Sequence, residues 1–112
     1  MRVSICHCLE CQRRTGSIFA VQARYPRAGV TFEGVSSQWS RTGEDGGTAT
    51  FHFCPHCSAI VWWDMDGLPD FVAVPVGAFA DPAFPPPTVS VYDNRSHPWA
   101  FTAGQLPLEH FV

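Results

Sequence analysis

The sequence predicts a mainly β domain with one short helix, on three observations. Nine Phe, four Trp and ten Pro in 112 residues are many large flat side chains and chain breaks, a composition that suits short strands better than long helices. Six or seven β-like runs follow one another along the chain, at the roughly ten-residue spacing of an all-β domain. Clusters of Gly, Pro, Asp and Ser separate them, as turn chemistry requires.

Taken in order, residues 2–8 alternate as a strand does, with Val3 and Ile5 on the parity of His7 and with Ser4, Cys6 and Cys8 on the other. "LECQRRTG" then reads as one or two helical turns stopped by Gly16, a residue suited to a C-terminal cap. The expected strands follow in "SIFAVQARY", "GVTFEG", "SSQWSRT", "TATFHFC", "AIVWWDM", "DFVAVPVGAF" and "TVSVYD". Their separators are Pro26 to Gly29, Gly34, "GEDGG" at 43–47, "CPHC", "DGLPD" at 66–70 and the proline run from Phe84 to Pro87. With no internal repeat and no long low-complexity tract, residues 1–112 are expected to form a single domain.

Charge removes some function classes. The formal net charge is −3 and all seven basic residues are Arg, of which only Arg13 and Arg14 adjoin, so no nucleic-acid-binding stripe is expected. No stretch approaches the roughly 18 apolar residues of a membrane span, and no apolar run precedes a small-residue cleavage site. A cytoplasmic protein is the expectation. Five cysteines in two tight clusters are then better explained by metal binding than by a disulfide framework.

Cys6 and Cys8, two apart on a strand, share a face, and a following turn brings Cys11 within chelating reach. Cys54 and Cys57 in "CPHC" have the gap of a zinc knuckle. A closed zinc site takes four ligands and a catalytic one keeps three with an open position, so five sulfurs allow two partitions. Either Cys6, Cys8 and Cys11 hold a metal with an open position while Cys54 and Cys57 furnish half of a second site, or one closed site draws two sulfurs from each cluster. Free buried thiols or redox use is the competing reading.

"CHCLECQRRTGSIFAV" at 6–21, "FHFCPHCSAIVWW" at 51–63, "VPVGAFADP" at 74–82 and "VYDNRSHPW" at 91–99 resemble the glutathione-dependent formaldehyde-activating enzymes. That family shares a zinc-binding, β-tent-like domain with the centromere-protein-V group. Its pattern is CxC, then CxCxxC, then CxxC. The resemblance implies that Cys6, Cys8 and Cys11 are ligands of a catalytic-type zinc with an open fourth position. It also implies that Cys54 and Cys57 belong to a structural zinc, whose other motif, a first CxC, is expected ahead of residue 1: either upstream of a start assigned too late or missing from a natural short form. The implied activity is that of a zinc-dependent carbon–sulfur lyase or synthase handling a small thiol adduct such as S-hydroxymethylglutathione, with glutathione or another small thiol as partner. A non-catalytic zinc-stapled binding module, which a closed four-sulfur site would mark, or an inactive truncated family member is the alternative.

Other residues carry competing readings. His7 is expected to pack away from the cysteines; His52 and His56 are spare ligand candidates. Arg13 and Arg14 can hold a substrate carboxylate or form a solvated helix face. Trp62, Trp63 and Trp99 read as core before pocket wall. Arg95 and His97 in "RSHPW" either border the site or dock a strand end. Asp64, Asp66 and Asp70 read as turn formers.

Overall fold

The computed structural model describes residues 1–43, 46–101 and 106–111. Seven strands, β1 (Arg2–Cys6), β2 (Ala20–Pro26), β3 (Ser37–Thr42), β4 (Thr48–Phe53), β5 (Ile60–Met65), β6 (Phe71–Pro75) and β7 (Val89–Val91), form one sheet in the order β3-β4-β5-β6-β2-β1-β7. Among the described residues the one α-helix, α1 (Leu9–Thr15), follows β1 directly. The mainly β class and the single helix after the first cysteine cluster are as the sequence predicts.

Two expectations need correction. "GVTFEG" is not a strand: Arg27–Gly29 make one tight helical turn, and Gly34 takes a positive φ of 88°. Pro26 closes β2, and Phe32, itself exposed, packs on Trp62 at 4.0 Å between ring centroids, so its ring finds a partner without sheet pairing. The run "DFVAVPVGAF" keeps its strand only to Pro75, after which Val76–Phe79 form another helical turn. The pairings are antiparallel except at one edge, where β7 lies parallel to β1, Ser4 opposite Val89 and Cys6 opposite Val91. The "GEDGG" connection at 43–47 falls partly outside the described residues.

Register assigns the faces. On one, Arg2, Ser4 and Cys6 lie opposite Arg24, Gln22 and Ala20, while Arg24 lies opposite Ala73, Ala73 opposite Trp63, and Trp63 opposite Phe51. Ala49, Phe51, Trp63 and Ala73 form the core of this face, with Ile60 against it. A second buried cluster joins Cys6, Cys11 and Ala20, backed by Cys8 and Val91. The cysteine cluster therefore belongs to the packed interior of the same face that carries the aromatic core.

Helix α1 ends where the sequence places its stop. Gly16 is left-handed at φ 68°, and its N–H donates to Gln12 O at 2.8 Å. A Cβ on Gly16 would meet nothing within 4 Å, so conformation alone resists a side chain. Gly16→Ala is expected to cost about 1–2 kcal/mol in denaturant unfolding, and Gly16→Asn less, since Asn tolerates this region. Equal costs for the two variants would show that the left-handed cap is not what matters.

Candidate metal centre

Strand β1 delivers Cys6 at its end, and the chain turns at once into α1. Cys8 is the N-cap, with φ −58° and ψ 150°, and its Sγ accepts the Cys11 backbone N–H at 3.2 Å. Sulfur here performs the capping that a Ser or Asp oxygen usually does. Cys11 sits in the first turn, aimed back at Cys6. The three Sγ atoms lie within 4.8 Å of one another, against the ~3.8 Å that tetrahedral zinc with ~2.3 Å bonds would impose. Cys6 and Cys11 are buried and Cys8 is half-buried. The three residues can hold a metal ion, and the soft sulfur donor set suits zinc.

The surroundings are arranged for negative charge. A hydrogen bond from Cys6 to Cys11 is the main reason the Cys11 thiol is lowered to about 5, with Cys8, Arg14 and Arg41 assisting against burial. The same hydrogen bond, with burial, raises Cys6. Cys11 is thus a thiolate at neutral pH while Cys6 keeps its proton until a cation displaces it. Arg41 from β3 places Nη2 3.9 Å from Cys11 Sγ and pairs with Glu10 at 3.7 Å. Its guanidinium lies 5.2 Å from the Phe51 ring centroid, and that of Arg14 lies 4.7 Å from both Phe51 and Trp63. Two cations are held on an aromatic floor beside the thiolate.

A pH titration checks this. In metal-free protein, ultraviolet thiolate absorbance present at pH 7 should fall as pH drops through about 5. Cys11→Ser should remove that step. Absence of the step in the wild-type chain would contradict the assignment of the charge to Cys11.

The other cysteines stand apart. Cys54 and Cys57 flank the turn between β4 and β5, where Cys54 Sγ accepts His56 N–H at 3.4 Å. Backbone N–H groups of Cys57 and His56 lower the Cys54 thiol, as in a metal knuckle or any thiolate held by a turn. Among the described residues, the one group of three or more potential ligands is Cys6, Cys8 and Cys11, so neither Cys54 nor Cys57 joins it, and no histidine or carboxylate does. In the described geometry the five cysteines thus stand as a group of three and a separate pair.

His7 packs as expected: it is 1% exposed and sits edge-on to Phe19 and Phe101 at 5.8 and 5.7 Å. His52 stacks on Trp62 at 3.7 Å on the face away from the cysteines. Arg13 is exposed and pairs with Glu10 at 2.5 Å, whereas Arg14 is half-buried over the aromatic floor, so the two neighbours have different environments. Trp63 is both core and cleft wall; Trp99 stands edge-on to His97 at 5.7 Å. Both readings of "RSHPW" hold, because Arg95 borders the cleft while its carbonyl and His97 bond the Gln12 side chain at 3.2 and 3.0 Å. The aspartates do not pair with one another: Asp64 meets Arg27 at 2.5 Å, and Asp66 accepts Thr48 N–H at 2.9 Å.

A cleft of about 680 Å³ opens beside the three cysteines, and Arg2, Arg13, Arg14, Arg24, Arg41 and Arg95 all line it. Arg27 alone among the arginines is turned elsewhere. Spacing along the chain gave no sign of this convergence, and Arg2, Arg24, Arg41, Ser4 and Gln22 were not recognisable as site residues from sequence. The one available signal was parity with Cys6: Arg2 and Ser4 share its face on β1.

The family model for the glutathione-dependent formaldehyde-activating enzyme matches residues 1–95. No curated protein matches the chain.

Proposed function

The chain belongs to the glutathione-dependent formaldehyde-activating enzyme family, and on that premise we propose that it is a zinc-dependent carbon–sulfur lyase or synthase acting on a small thiol adduct such as S-hydroxymethylglutathione. One observation carries the reading: three thiols converge within 4.8 Å on the wall of a 680 Å³ cleft, with no fourth ligand beside them among the described residues. Three protein ligands with a solvent-facing fourth position are the pattern of a catalytic site. When bound by Cys6, Cys8 and Cys11, zinc would supply a mild Lewis acid for a sulfur or adduct oxygen, since three thiolates leave the centre with about one negative charge.

The chain's own residues have definable parts. Arg14 and Arg41 stand beside Cys11 and offset that excess charge. Phe51 and Trp63 keep water from the floor of the site. In the synthase direction the thiol sulfur bonds to the aldehyde carbon, the carbonyl π bond breaks, and the thiol proton ends on the new hydroxyl. The lyase direction is the reverse.

The test is the exchange of isotope-labelled formaldehyde with glutathione, followed by NMR in the presence of zinc-loaded protein. Exchange faster than the uncatalysed reaction supports the assignment. A rate equal to the protein-free control would overturn it.

A further inference from the structure

A polar ladder leads away from the cysteines along β1 and β2. Cys6 is followed on the same face by Ser4 and then Arg2, opposite Ala20, Gln22 and Arg24. Like charges placed directly across an antiparallel pair repel. Yet Arg2 and Arg24 face each other, and among the described residues no carboxylate pairs with either. Between this pair and Cys6, Gln22 Nε2 donates to the buried Ser4 hydroxyl at 3.0 Å. Its Oε1 is buried with no partner. All four side chains line the cleft. Arg2 is exposed and Arg24 half-buried, so solvent screens their repulsion without compensating it, while the buried acceptor lacks a donor; an anion with an adjacent N–H would answer both.

We propose that Arg2, Arg24 and Gln22 form a second subsite that selects the carboxylate end of an amino-acid or peptide-like thiol. Guanidinium forks match a carboxylate, and Gln22 Oε1 takes the N–H that neighbours such a carboxylate in an amino acid or peptide. Inorganic phosphate has no N–H beside its anionic oxygens, and its P–OH is not held at that position, so it matches Gln22 less well. Four residues of strand separate Cys6 from Arg2, about 13 Å of rise, less the reach of an arginine side chain. A ligand two or three residues long spans it with its sulfur at the cysteines, and cysteamine does not. Arg24 rests over Phe71 at 5.7 Å, which restricts the motion of its guanidinium. The assignment rests on the proposed function in placing the ligand's sulfur at the metal end.

The test uses calorimetry with S-methylglutathione, which lacks a free thiol, on zinc-loaded wild-type, Arg2→Gln, Arg24→Gln and Gln22→Met proteins. Wild-type protein should bind it at least about tenfold more tightly than its dimethyl ester, and each Arg variant should lose most of that difference. Gln22→Met should narrow the preference for S-methylglutathione over inorganic phosphate. Unchanged affinity in both Arg variants would overturn the subsite, as would phosphate competing as effectively as the thioether in wild-type protein. Circular dichroism establishes that each variant is folded. Formaldehyde exchange in the wild type, with binding indifferent to Arg2 and Arg24, would sink the subsite alone. Arg-dependent binding without exchange would sink the lyase assignment and leave the carboxylate subsite standing.

Discussion

Cys11→Ser is expected to lower zinc affinity by more than about a hundredfold. The benchmark is that residues merely supporting a metal ligand cost roughly 10- to 100-fold when removed, and Cys11 is more than a support. It is the sulfur that carries the anionic charge in metal-free protein, lowered to about 5 by Cys6 with help from Cys8, Arg14 and Arg41. Its backbone N–H also caps on Cys8 Sγ at 3.2 Å; that bond survives the substitution, so the helix remains and the loss is specific to the metal. Zinc per chain after equilibration with a competing chelator measures the effect. Cys57→Ser in the same assay, if it left the occupancy of the Cys6–Cys8–Cys11 site unchanged, would show that the two clusters act separately. A Cys11→Ser protein that retained zinc at wild-type affinity would exclude the three-cysteine centre.

The second large effect is on stability. Phe51 is 1% exposed and sits between Trp39 and Trp63 at ring-centroid distances of 5.8 and 5.5 Å, with Arg14 and Arg41 over its face. Phe51→Ala truncates the largest fully buried side chain of the core that supports the cleft. Such truncations cost about 3–5 kcal/mol, a large fraction of the stability of a domain this small. It also unseats both guanidiniums from beside Cys11, so the acid step of the metal-free thiolate titration should move toward higher pH. Denaturant unfolding measures the first effect and ultraviolet absorbance the second. Val35, 88% exposed, provides the control, with Val35→Ala expected within about 0.5 kcal/mol of wild type.

What was legible in the sequence was local. Six residues contain Cys6, Cys8 and Cys11, so strand parity and a single turn suffice to bring them together, and Gly16 marks the helix end by its backbone freedom. Strand runs were readable where side chains alternate between turn residues. "GVTFEG" misled because Val30 and Phe32 alternate like strand residues although Phe32 is satisfied by the Trp62 ring instead of a sheet face. The parallel pairing of β7 with β1 joins residues 89–91 to residues 4–6, and nothing in either segment encodes its partner's direction. The convergence of the arginines was the least legible feature. At positions 2, 24, 41 and 95 they are remote from one another in sequence, and only the sheet register and the docking of "RSHPW" on Gln12 bring them around one cleft. Residue types pointed to a site that can hold a metal ion, while the charge around the cleft is a property of the fold.

X-ray absorption at the zinc edge of the loaded protein addresses the open coordination position most directly. Three sulfurs and one oxygen or nitrogen at the Cys6–Cys8–Cys11 centre are expected, with the light atom giving way to a fourth sulfur when a free thiol such as glutathione is added. Four sulfurs in the ligand-free protein would contradict an open site and would favour a closed, purely structural zinc.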